Sequence, residues 1–159
     1  MTNVNSFDLL PRKIAELDLR RLQHKYTESS EAELTPDEWA FAEKEYRKFL
    51  ALKLAYPAAS LVPSKMVDYV WHAHLLDTRA YREDCRKIFG RFIDHYPYFG
   101  IYGEDDQQLL QATFEKTKQL YQRHFGPYPG GSNPEAARCE GHACHVPTTC
   151  ACRVSGACK

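Results

Sequence analysis

At 159 residues the chain has the length of one domain, large enough to bury a core. Lys plus Arg balances Asp plus Glu at 21 each, so no net charge recruits nucleic acid or an anionic membrane. Ten Tyr and eight Phe argue for a packed globule and against global disorder.

The opening MTNVNSFDLLPRKIAELD lacks an apolar run of signal-peptide length, and nothing downstream approaches a membrane span. A cytoplasmic location is therefore expected. In a reducing compartment the six cysteines read as thiols or metal thiolates, not as disulfides.

In chain order, residues 7–27 read as one amphipathic helix, with Leu10, Ile14, Leu17, Leu22 and Tyr26 roughly on one side. Thr35-Pro36-Asp37-Glu38 is a capping box with proline at the first helical position. The helix it opens runs to about Ala55, stopped by Tyr56-Pro57. Trp39, Ala42, Tyr46, Phe49, Leu50 and Leu54 are expected to face the core, with the neighbouring Lys and Glu residues in solvent.

Ser64 is a candidate cap for a helix starting at Lys65. Its pattern divides into 65–76 and 77–89, and Gly90 closes it. Asp77-Thr78 is either a fresh cap with a kink or the middle of one long helix; both readings stay open. The aromatic stretch RFIDHYPYFGIYG follows. A last helix spans about Asp105 to His124, with Leu109, Leu110, Phe114, Lys118, Leu120, Tyr121 and Phe125 on or near its buried side. Gly126-Pro127 ends it. With no sustained β-alternation, the expected fold is all-α: a compact bundle of four to five helices over residues 1–126.

The segment with most chemical potential is 61–103, which holds His72, His74, Cys85 and His95. With residues placed about 100° apart on an ideal helix, His74 falls at the centre of the stripe containing Val67, Val70, Trp71, Tyr81 and Cys85. His72 points nearly the opposite way, beside Asp68 one turn earlier, where a surface ion pair is expected. Helical imidazoles that share an ion are spaced i,i+3 or i,i+4, so His72 and His74 can converge only where the helix kinks or ends. The candidate pocket is His74 with Asp77 or Thr78 from the next turn and with His95 returning on the aromatic loop, and His72 joins these metal candidates where the helix kinks. Two imidazoles and a carboxylate suit zinc or ferrous iron with an open position. The competing reading makes His74 an ordinary core imidazole held by Asp or Tyr, and for Cys85 a small buried apolar residue outweighs a nucleophile.

These residues also carry a resemblance. Asp68, Val70-Trp71-His72-x-His74, Asp77-Thr78, Tyr81, Asp84-Cys85, Phe89-Gly90, His95 and Pro97-Tyr98-Phe99-Gly100 resemble the glycine-rich domain-containing protein family, which has bacterial single-domain and longer plant members. The resemblance implies a domain centred on this stretch and assigns no catalytic residue.

After Phe125 the composition shifts to Pro, Gly and small residues, and residues 127–159 read as a flexible Cys/His-rich tail. Its donors are Cys139, His142, Cys144, His145, Cys150, Cys152 and Cys158, soft ligands suited to zinc or copper. The sequence thus predicts a small metal-binding or metal-handling protein using Zn, Cu or Fe, with no organic cofactor indicated. Two alternatives are a helical protein-interaction module and a metal-dependent enzyme built on His74, His95 and Asp77.

Overall fold

A computed structural model describes residues 10–130. Six helical segments follow one another: α1 (Arg12–Ala15), α2 (Arg20–Thr27), α3 (Pro36–Ala55), α4 (Lys65–Leu76), α5 (Thr78–Phe89) and α6 (Glu104–Phe125). Among the described residues no strand forms, and no helix is long and apolar enough to cross a membrane.

The helix expected over 7–27 is two pieces. Leu17 and Leu19 are both buried, and an i,i+2 pair shares a side in extended chain but not in a helix. Asp18 between them faces outward and takes the Arg20 guanidinium at 2.8 and 2.9 Å. Arg47 of α3 pins the turn from the other side, donating to the carbonyls of Ile14 at 2.6 Å and Leu17 at 2.8 Å.

The capping box at α3 forms as expected. Thr35 Oγ1 accepts from the Glu38 amide at 3.2 Å, and Glu38 accepts from the Thr35 amide at 2.8 Å. Trp39, Ala42, Tyr46, Phe49 and Leu50 enter the core, and α3 packs most extensively against α4. The solvated Lys/Glu face is corrected in one place. Glu45 and Lys48 are each 6 % exposed, because α6 covers a second side of α3 and brings Tyr121 to them. Lys48 donates to Glu45 at 3.0 Å and to the Tyr121 hydroxyl at 2.9 Å, and that hydroxyl donates to Glu45 at 2.7 Å. The triangle leaves each member satisfied, as burial of charge requires.

Ser64 caps α4, and the 65–89 pattern is two helices. Asp77 has φ −82° and ψ 71° and caps α5 by accepting from the Ala80 amide. The chain turns there, and α4 and α5 pack on each other. Gly90 ends α5 at φ 70°, a left-handed conformation that disfavours a side chain. In α6, Leu110, Phe114 and Tyr121 are buried, whereas Leu109 is 59 % exposed, so Leu109 does not join the core. Packing continues past residue 126: Tyr128 sets its ring against Phe114 and Tyr121, and burial pushes its hydroxyl pKa up to about 12.

Candidate functional site

The corner at Asp77 decides which polar groups meet. It folds α5 back so that residues ten apart touch across it. His74, 2 % exposed, donates through Nε2 to Asp84 at 2.9 Å and accepts at Nδ1 from the Tyr46 hydroxyl at 2.8 Å. Both ring nitrogens are occupied, with the proton on Nε2 the tautomer that fits a carboxylate on one side and a phenol on the other. Burial lowers the pKa of this imidazole, and Asp84 opposes that shift. His74 is therefore a satisfied core residue. Asp77 serves as helix cap. Cys85 is buried, and burial raises its thiol pKa, the setting of an unreactive thiol.

A second ten-residue contact fixes the loop after Gly90. Trp71 Nε1 donates to the Tyr81 hydroxyl at 2.9 Å, and that hydroxyl donates to the Ile93 carbonyl at 2.6 Å. Residues 92–96 carry no regular secondary structure and alternate in exposure: Phe92, Asp94 and Tyr96 outward, Ile93 inward. Alternation at period two places His95 on the inward side with Ile93. Its side chain is 7 % exposed.

His95 lands on the face of α4 that carries Asp68 and His72. The surface pair expected there is instead buried, with Asp68 at 4 % and His72 at 8 % exposure. The physical reason is the loop: a helical wheel gives a side chain's direction but not what later covers it. His95 Nε2 lies 2.8 Å from Asp68 Oδ1 and 3.0 Å from His72 Nε2, and His72 Nε2 lies 3.4 Å from Asp68 Oδ2. Among the described residues this is the one group of three His, Cys, Asp or Glu whose ligand atoms all fall within 4.8 Å of one another. Of the residues the sequence singled out, His72 and His95 are brought together, and His74 and Asp77 are not part of the group. Asp68, expected in a surface pair, is the third member of the group. Its i,i+4 spacing to His72 and the alternation through RFIDHY were the available signals.

One nitrogen of His95 thus faces two polar partners. A single N–H aligns well with only one of them, whereas a cation between the three atoms would draw lone pairs from all. Ligand atoms around a tetrahedral zinc lie about 3.3 Å apart, given Zn–N bonds of ~2.0–2.1 Å. The observed spacings need only a few tenths of an ångström of opening, so the donor set fits such an ion.

A cavity of about 350 Å³ adjoins the group, walled by Asp68, His95, Trp71, Lys53, Leu61, Phe99 and others. The Trp71 ring centre is 4.4 Å from that of His95, and Lys53 Nζ lies 5.2 Å from the Trp71 ring. Burial lowers the Lys53 pKa, and the nearby positive charge of Arg91 lowers it further. The tail donors Cys139, His142, Cys144, His145, Cys150, Cys152 and Cys158 lie outside the described residues.

The family model described as UCP032817-like matches residues 11–119, a span that includes Asp68, His72 and His95. Glycine-rich domain-containing protein 1 of Arabidopsis thaliana is 32 % identical over 62 residues, which is 39 % of this chain and 7 % of that relative's length. The match supports the resemblance drawn from the 61–103 motifs. No solved structure matches the chain.

Proposed function

The chain belongs to the UCP032817-like family, and from that premise we propose that it is a transition-metal-binding protein whose helical domain holds one ion through Asp68, His72 and His95. The supporting observation is the meeting of two Nε2 atoms and a carboxylate inside 4.8 Å on a buried face. Two imidazoles and one carboxylate are a common ligand set for zinc and ferrous iron, with coordination positions left for water or a small ligand. The adjoining cavity gives such a ligand a place to lie, which favours a metal-assisted step over simple storage.

The tail donors Cys139, His142, Cys144, His145, Cys150, Cys152 and Cys158 form a separate, softer set in this proposal, suited to zinc or copper. The two sets are distinguished in full-length protein. A variant with the five tail cysteines changed to Ser and His142 and His145 changed to Ala should retain about one equivalent of zinc or iron by elemental analysis. Adding Asp68→Asn and His72→Ala should remove it. Retention of the ion after those two changes would refute the helical site, and a metal-free parent that refuses added zinc, copper and iron would refute the whole reading.

A further inference from the structure

We propose that the cavity beside Asp68, His72 and His95 binds a small organic carboxylate with an apolar body, and that Lys53 is the charge partner of that carboxylate. This assigns a ligand class to the site proposed above, and it rests on the metal reading only for the ligand's second end.

Lys53 presents the feature that asks for an explanation. Its Nζ lies over two aromatic rings, Trp71 at 5.2 Å and Phe49 at 5.4 Å, and among the described residues it makes no ion pair. Its charged neighbour is of its own sign: Arg91 pushes its pKa in the same direction as burial does. The cavity wall does contain carboxylates, but Asp68 is turned toward the two imidazoles, and Asp94 is exposed. A half-buried ammonium without a counter-charge is unfavourable, and an entering anion removes that cost. The rest of the wall sets the body of the ligand. Leu61, Phe99 and Leu110 offer apolar contact, the usual lining of a small-molecule site in which a few polar groups fix orientation.

Trp71 connects the two ends. Its ring lies within 5.2 Å of Lys53 Nζ, and its centre is 4.4 Å from that of His95. A ligand lying along that ring would place its carboxylate at Lys53 and direct its other end toward the imidazole–carboxylate group.

The test uses full-length protein, with and without zinc, and two probes of matched shape: 3-phenylpropionate and 3-phenylpropanamide. By calorimetry the acid should bind about tenfold more tightly than the amide, the size of one charge-assisted contact. Lys53→Met should abolish that preference while leaving zinc content unchanged, and Lys53→Arg, which keeps the charge, should retain it. Equal binding of the two probes, failure of both to bind at millimolar concentration, or an acid preference that survives in Lys53→Met would each overturn the proposal. A Lys53-dependent preference in protein that takes up no zinc would support the anion pocket and refute the metal site, so the two failures are separable.

Discussion

His72 and His95 meet Nε2 to Nε2 at 3.0 Å although 23 residues separate them in the chain. Nothing local imposes that contact. It exists because the corner at Asp77 turns α5 back over α4, and the Trp71–Tyr81–Ile93 chain of hydrogen bonds then holds the following loop against the same helix.

The histidines of α4 should therefore separate by phenotype. His72→Ala should lose the ion from the helical site. His74→Ala should keep it and instead destabilise the fold by about 2–4 kcal/mol, through the hole left and the unpaired Tyr46 and Asp84. Elemental analysis and denaturant titration on the two variants check this; equal metal loss from both would contradict the assignment.

The Lys48–Glu45–Tyr121 triangle should behave as a coupled unit. Lys48→Met alone strands a buried carboxylate and should cost about 3–5 kcal/mol, while Lys48→Met with Glu45→Leu should recover part of that loss, the remainder being the Tyr121 hydroxyl left without its two partners. A double-mutant cycle by urea unfolding measures the coupling, and additive losses would show that the members act independently.

Thr35→Ala removes one half of the α3 capping box and should cost about 1 kcal/mol. Thr35→Asp should restore most of it. Thermal unfolding of the two variants gives the comparison, and α3 carries enough of the core that the shift should appear in the global transition.

Cys85 should resist alkylation in the native protein at neutral pH, because burial both covers the thiol and raises its pKa. Peptide mapping after iodoacetamide should find it labelled only once the protein is unfolded. Early labelling would mean that the α5 face opens readily.

Much of this was written in the sequence in a form that local chemistry can read. The Thr35 box, the Ser64 cap and the Gly90 terminus each depend on a few adjacent residues, and each formed where expected. The inward direction of His74 followed from helical period alone. What periodicity could not supply was coverage of a second face. Asp68, His72, Glu45 and Lys48 read as solvated because they sit opposite an apolar stripe, yet α3 and α4 are covered on two sides by α6 and by the 91–103 loop. The break between α1 and α2 was hidden for a related reason: Leu10, Ile14, Leu17, Leu22 and Tyr26 make a loose helical stripe that leaves out Leu19, whose burial beside Leu17 marks the extended turn.

The position of Trp71 also gives the molecule a built-in optical reporter. The chain has two tryptophans; Trp39 stacks on Tyr26, whereas Trp71 has the Lys53 ammonium 5.2 Å from its ring centre and the His95 ring centre 4.4 Å away. An ion beside that imidazole, or a guest lying along the ring, would alter the emission of this one residue. Occupancy could then be followed in real time without any label, with the Trp39 signal as a steady background.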